Sequence, residues 1–291
     1  MTEGAIEGVV LDHVAHAVPD WRDAWPRYAV ELGAVWNSGG PGPGFAPGQL
    51  RFANRARIEV LMPHDTQVND FLARFLQRTG PGPHHLTFKV HDLDQALDAA
   101  RRAGFEPIGI DRSQSDWMEA FIHPKQATGI VVQLAQASEE WTSPPPKHFP
   151  AERRRRPDGA RVPAASFQRV VHAVADLRAG VALFATLLGG EVEDRGVLGG
   201  EEWIDLRWDG PLAMRLVAPH GTKPLPALSS WLGGRSGRVH HLRFAAEAAG
   251  SLANARPVTP DLPGLAGCDT GSHWVIDPDD NLGARLVVAD H

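Results

Sequence analysis

Leu86, Phe88 and Val90 alternate with Thr87 and Lys89, the period of a strand with one buried face. Asp92 or Asp94 then offers a helix N-cap, Leu93, Leu97 and Ala100 recur at helical spacing, and Gly104 stops the helix. A strand that opens on His84-His85 therefore runs into an amphipathic helix over 92–103. Upstream, residues 11–18 read as a strand that leaves through Pro19-Asp20. Residues 21–32 follow as a helix with Trp21, Trp25, Tyr28 and Leu32 on one face and Gly33 as its stop. Pro26 sits inside that helix, where proline is tolerated only in the first turn, so the helix is expected to start later than Trp21. Residues 37–48, rich in Gly and Pro, read as a loop, and strands follow at 49–53 and 57–63. The unit is β-α-β-β-β. A second unit begins at His84-His85, with further strands near 105–110, 117–122 and 129–136.

The same grammar returns at a constant distance. Val18 and Val174, Asp20 and Asp176, Gly33 and Gly189, Pro63 and Pro219, and His84-His85 and His240-His241 are each 156 residues apart. A constant offset over that length is the mark of tandem duplication. The expected fold is α+β: two tandem domains, 1–137 and 166–291, each a pair of βαβββ units. Residues 138–165 lose all periodicity and carry Pro144-Pro145-Pro146 and Arg153-Arg154-Arg155-Arg156, which predicts a solvated linker. No aromatic residues interleave the arginines, so the run does not read as an RNA-binding surface.

A chain of 291 residues is long enough for two cores. A net charge of −6 does not favour nucleic acid, and no apolar run approaches the ~18 residues of a membrane span. Acids at Glu3 and Glu7 stand where a signal peptide has bases, and the single cysteine, Cys268, suits a reducing compartment. The expectation is a cytoplasmic protein whose partner is a small molecule, with the choice between monomer and homodimer left open.

The polar residues on the first and last strand of each unit in the first half are His13, Glu59, His85 and Gln133, spaced 46 and 48 residues apart within their units. Two imidazoles, a carboxylate and an amide oxygen on strands facing one cleft suit a first-row divalent ion. Here the chain resembles the vicinal oxygen chelate superfamily, which includes glyoxalase I, methylmalonyl-CoA epimerase, extradiol dioxygenases and the fosfomycin and bleomycin resistance proteins. Leu11-Asp12-His13-Val14, Glu59-Val60-Leu61-Met62-Pro63, His84-His85-Leu86-Thr87-Phe88, and Phe121-Ile122-His123-Pro124-Lys125 through Val132-Gln133-Leu134 are similar to the epimerase signatures. The resemblance implies one divalent metal ion (Co, Ni, Mn, Zn or Fe) on His13, Glu59, His85 and Gln133. It also implies a lyase or isomerase acting on a small oxygen-rich, carboxylate or acyl substrate. The family usually has glutamate where this chain has Gln133, and an amide cannot accept a proton at neutral pH. Glu59 is then the candidate base. Two alternatives stand beside this reading: an extradiol-type Fe(II) dioxygenase, and a non-catalytic small-molecule-binding or drug-sequestering protein.

In the second half Arg169 and Arg215 replace His13 and Glu59, His241 matches His85, and Arg285 (or Ala284) is aligned with Gln133. Guanidinium groups repel a cation. That half is expected to bind no metal. Arg169, Arg215, His241 and Arg285 could receive an anion, or Arg169 and Arg215 pair with acids such as Glu202 or Asp205 and hold a vestigial cleft together. Gln49, Arg51, Trp117 and Glu119 are candidates for substrate contact, and His84 is expected to turn away from His85. Strand parity sends His16 and His172 to the opposite face, into packing.

Overall fold

The computed structural model describes residues 5–137, 141–259, 261–267 and 272–290, so Cys268 lies outside the described residues. The first half forms β1 (Val10–Ala17), β2 (Val35–Gly39), β3 (Phe45–Arg51), β4 (Arg57–Pro63), β5 (Gly82–Lys89), β6 (Ile108–Asp111), β7 (Trp117–Ile122) and β8 (Val131–Ala137). They make one sheet in the order β2-β3-β4-β1-β5-β8-β7-β6. Two four-stranded units meet at the antiparallel β1–β5 seam, and within each unit the first and last strands run parallel. The second half supplies β9 (Ser166–Val174), β10 (Glu191–Leu198), β11 (Glu201–Arg207), β12 (Ala213–Pro219), β13 (Gly237–Ala246), β14 (Arg256–Pro257), β15 (His273–Ile276) and β16 (Leu286–Asp290). Their order, β10-β11-β12-β9-β13-β16-β15-β14, is that of the first sheet. Both halves therefore carry the α+β architecture of paired βαβββ units.

The helices depart from expectation in instructive ways. α1 (Trp21–Trp25) begins at Trp21, capped by the Asp20 carboxylate, and widens into π-helical turns over Pro26–Glu31. Pro26 thus does not delay the helix. It stands at the joint, where the ladder changes from four-residue to five-residue spacing and Leu32 N–H donates to Arg27 O at 3.0 Å. The copy, α4 (Leu177–Val181), widens identically over Ala182–Leu187 with alanine at the joint, so the bulge belongs to the fold and the proline is accommodated by it. Helices α2 (Phe71–Thr79) and α5 (Pro226–Leu232) lie between units where no helix was anticipated, while α3 (Leu93–Arg102) falls on the predicted span. Phe71 and Phe75 of α2 pack on Ala15, Ala17 and Leu61, and Leu228 and Leu232 of α5 pack on Val171, Ala173 and Val217. The fourth unit has only a 3-10 turn, Ala249–Ser251, in place of its helix. Gly250 lies under Trp274 there, with room for no side chain.

The expected loop at 37–48 shrinks to residues 40–44, because β2 ends at Gly39 and β3 begins at Phe45. Gly48 admits the Trp36 ring, which would stand 3.0 Å from a Cβ there, so glycine here serves packing within a strand. The segment read as a solvated linker is pinned to both halves. Phe149 packs edge-on against Trp25 and Trp36. Arg154 donates to Ala248 O, Glu247 O and Ser251 Oγ, and Arg156 pairs with Glu247.

The two halves share one apolar core, in which Phe88 meets Phe184 and Trp208, and Phe52 meets Phe167 and Phe244. Two buried histidines clasp it. His16 Nε2–H donates to Leu282 O at 2.8 Å, and Tyr28 O–H donates to His16 Nδ1 at 2.9 Å. Its copy, His172, donates from Nε2 to Thr128 O at 2.9 Å. Burial pushes both imidazoles down to about 4, opposed only partly by the carbonyl each bonds. In the unfolded chain they titrate near 6.5. Their contribution is therefore complete above about pH 6.5 and lost as pH falls towards about 4. Denaturant unfolding at about pH 5 is expected to show each histidine costing about 2 kcal/mol relative to pH 7. H16Q/H172Q, whose amides still reach the carbonyls, should flatten that dependence; an unchanged pH slope would refute the clasp as its source.

Candidate metal centre

Strand register brings the four predicted positions to one face. His13 lies opposite Thr87, Ala15 lies opposite both His85 and Glu59, and Thr87 lies opposite Gln133. Side chains two residues apart on a strand share a face, so His13, Glu59, His85 and Gln133 converge. Glu59 sits between the imidazoles, with Oε1 3.7 Å from His13 Nε2 and Oε2 3.6 Å from His85 Nε2. Ligand atoms of His13, Glu59 and His85 all fall within 4.8 Å of one another.

The candidate histidine ligands are oriented by their neighbours. His13 Nδ1–H donates to Asp12 Oδ2 at 2.7 Å, and Asp12 is held in turn by Arg57 and by Lys89 at 3.3 Å. Burial opposes a charge on Asp12, but His13, Arg57 and Lys89 outweigh it and keep the carboxyl well below its usual range. Thr87 O–H donates to Gln133 Oε1 at 2.5 Å, which leaves Thr87 Oγ1 to accept from His13 Nε2 at 2.9 Å. Both nitrogens of His13 thus donate. Burial pushes His13 down, yet Glu59 and Asp12 together raise it to about 9. His85 is the opposite case: burial, then the charge of His84 and His13, hold it well below the ordinary value. His84 does not turn away as expected, since its Nδ1 lies 2.9 Å from His85 Nδ1. That leaves His85 Nε2 buried with no hydrogen-bond partner, aimed at Glu59. An orphaned imidazole lone pair beside a carboxylate and a second imidazole fits a divalent cation.

Gln133 is less free than a ligand reading requires. Its oxygen accepts from Thr87, and its amide donates to Glu119 Oε2 at 2.6 Å. Trp117 Nε1–H donates to the same Glu119 oxygen at 2.7 Å. Burial raises the Glu119 carboxyl, the two donors lower it, and Glu59 raises it further, for a net upward shift. A cleft of about 1800 Å³ opens over these groups, lined among others by Gln49, Glu59, His85, Trp117, Glu119 and Gln133. Arg51, opposite Arg57 in the sheet, is outside that lining.

The second half shows what the same backbone does without those ligands. Asp205, the counterpart of Gln49, takes Arg215 Nε and Nη2 at 2.7 Å each and Arg169 Nη1 at 2.7 Å. The chain at 264–266 then fills the space: Arg215 Nη1 donates to Gly264 O at 3.1 Å and Ala266 O at 2.7 Å, while Glu201 accepts from Gly264 N–H at 3.0 Å. A Cβ at Gly264 would stand 2.5 Å from Val171, so only glycine passes there. Arg285 requires a correction. Leu86 pairs with Val132 and Leu242 with Leu286, so the residue equivalent to Gln133 is Val287. The last strand is offset by 154 residues rather than 156, and Arg285 and Ala284 lie two and three residues before the equivalent position. Arg285 instead contacts His240 Nε2 at 2.9 Å, apart from Arg169 and Arg215.

A glyoxalase-like domain model matches residues 11–162. The chain belongs to that family. Glyoxalase-like relatives with curated names include an ethylmalonyl-CoA/methylmalonyl-CoA epimerase of Cereibacter sphaeroides, 28% identical over 130 residues that cover 43% of this chain and 96% of that protein. The mitochondrial methylmalonyl-CoA epimerase of Homo sapiens is 28% identical over 130 residues, 44% of this chain and 73% of its own. Among solved structures, a mutant 4-hydroxymandelate synthase from Streptomyces coelicolor is 18% identical and covers 100% of this chain and 94% of that one, with a TM-score of 0.64. That likeness extends the glyoxalase-like fold across both halves. Among the described residues no helix is long and apolar enough to cross a membrane.

If the centre holds a cation, His13 must give up its Nε2 proton. Affinity for zinc or cobalt is then expected to rise about tenfold per pH unit between about pH 7 and 8.5, with one proton released per ion in calorimetry across buffers. A pH-independent affinity would contradict the imidazolium described here. His85→Ala should abolish binding in equilibrium dialysis and His241→Ala should not; equal loss in both would refute the asymmetry between the halves.

Proposed function

We propose that this protein is a metal-dependent isomerase or lyase that moves a proton at the carbon beside a carboxylate or acyl oxygen. The observation that carries the reading is Glu59, a carboxylate shared by two imidazoles at the floor of an open cleft. A divalent ion held by His13, Glu59 and His85 would supply positive charge that acidifies a substrate C–H beside a carboxylate or acyl oxygen. Gln133, whose oxygen is taken by Thr87, holds Glu119 in place through its amide.

Glu59 takes the proton from the substrate carbon. The missing second base has a substitute next door: Glu119, on the neighbouring strand, lies against the amide of Gln133. Both hydrogen bonds to Glu119 fall on Oε2, which leaves Oε1 open to exchange a proton with the substrate, and burial shifts the carboxyl upward. A proton taken by Glu59 on one face and returned by Glu119 on the other inverts the carbon, and no atom is gained or lost. The names of the curated relatives support a malonyl-type acyl thioester as the first substrate to try.

The two-histidine, one-carboxylate set also suits Fe(II) and oxygen, which is the second reading. Proton NMR in D2O with metal-loaded protein and methylmalonyl-CoA separates the two. Exchange of the α-proton without oxygen consumption is expected. Glu59→Gln should reduce exchange by about 10³-fold, within the usual range for a general base. Glu119→Gln should stop inversion while exchange from one stereoisomer continues. Oxygen consumption by the iron-loaded protein, with no exchange for any metal, would sink the isomerase reading.

A further inference from the structure

The large cleft does not end at the first sheet. Its wall passes Gly82 and Gly129 and continues onto the second half at Arg235, Gly237 and Arg238. The halves meet there backbone to backbone, since a Cβ on Gly237 would stand 2.1 Å from Thr128 O. Arg238 is half-buried, and its guanidinium carbon lies 4.2 Å from the Trp231 ring centroid, with that of Arg285 4.4 Å from the same ring. Arg78, at the end of α2, donates from Nε to Arg74 O at 3.2 Å and lines the same cleft.

Several other half-buried or buried arginines are matched by acids: Arg57 by Asp12, Arg27 by Glu31, and Arg169 and Arg215 by Asp205. Among the described residues no carboxylate lies within ion-pair distance of Arg78, Arg235 or Arg238. The nearby Asp277 is occupied, 3.6 Å from Arg285 Nε and 2.7 Å from Arg256 Nη2. Burial, then the like charges of Arg235 and Arg285, pull the pKa of Arg238 down. Arg238 is the partly desolvated member, and an uncompensated charge there costs free energy unless an anion completes it, while Arg78 and Arg235 are exposed and add positive charge along the cleft wall. Guanidinium forks match phosphate or carboxylate oxygens, and stacking on an indole fixes the plane of one fork in advance.

We propose that Arg78, Arg235 and Arg238 form an anion-recognition site at the interdomain end of the cleft, taking a second anionic group of the substrate remote from Glu59. That the anion belongs to the substrate rests on the proton-transfer reading above; the site itself does not. The second half, with arginines where the first has His13 and Glu59, thereby completes the binding cleft of the first.

The test is calorimetric titration of the full chain, freed of metal with EDTA, with inorganic pyrophosphate and separately with glutarate at low ionic strength. At least one is expected to bind, with affinity falling as NaCl is raised. R235Q/R238Q should weaken it about tenfold or more, about 1.4 kcal/mol, while R235K/R238K restores part of the loss. Preference for pyrophosphate marks a phosphate-bearing substrate, and preference for glutarate a dicarboxylate. No binding of either anion, or binding unchanged in R235Q/R238Q, overturns the proposal. Should that double variant fail to fold, R78Q alone must weaken binding about threefold, and an unchanged affinity there overturns it equally. Because metal is absent throughout, a failed proton-exchange assay leaves this result standing, and the reverse holds as well.

Discussion

The antiparallel seam between β1 and β5 is the constraint on which the rest depends. Its register sets His13 beside Thr87 and Ala15 beside His85, and the parallel pairing of β1 with β4 puts Glu59 across from Ala15. A slip of one residue in either pairing would turn a ligand to the opposite face. The apolar residues interleaved with these ligands, Val14, Leu86, Ile58 and Val132, are fully buried on that other face. Moving the register would expose them, so the packing of the core enforces the geometry of the site. Rigid strands then hold three potential ligands without the entropy cost of ordering loops.

The same seam recurs in the second half with a different outcome. Gln49 and Glu59 are a cross-strand pair in the first half; Asp205 and Arg215 are the equivalent pair in the second. One pair leaves its acid, Glu59, facing two imidazoles and an open cleft, and the other pairs its acid, Asp205, with two guanidinium groups. The loop at 264–266 closes over Arg215 and removes the space a ligand needs. Duplication has thus kept a scaffold and divided its uses. One cleft remains open, and the other half gives its core, its clasp and its arginines.

Much of this was legible along the chain. The alternation at Leu86, Phe88 and Val90, the caps at Asp20 and Asp92, and the constant spacing of His84-His85 and His240-His241 identify strands, helix starts and the repeat. Legibility failed where glycine and proline carry two meanings. Gly48 reads as a loop residue but lies in a strand beneath Trp36, and Pro26 reads as a helix breaker but sits at a π-helical joint that its alanine counterpart shares. Arg154 and Arg156 read as a solvated run, yet backbone carbonyls and Glu247 of the second half receive them. A local pattern does not reveal a partner some 90 residues away.

The sequence by itself determined the α+β duplication, the paired units and the asymmetry of candidate ligands between the halves, because those follow from residue type at periodic positions. Only the tertiary structure decided the states of the groups in the site. Both histidines are buried beside Glu59, yet Glu59 and Asp12 together raise His13 to about 9, while burial and the neighbouring His84 and His13 hold His85 well below its ordinary value. Gln133 is tied to Thr87 and Glu119, and Arg285 belongs with His240 rather than with Arg169 and Arg215. Charge and protonation depend on neighbours brought together by folding, and those neighbours lie on different strands.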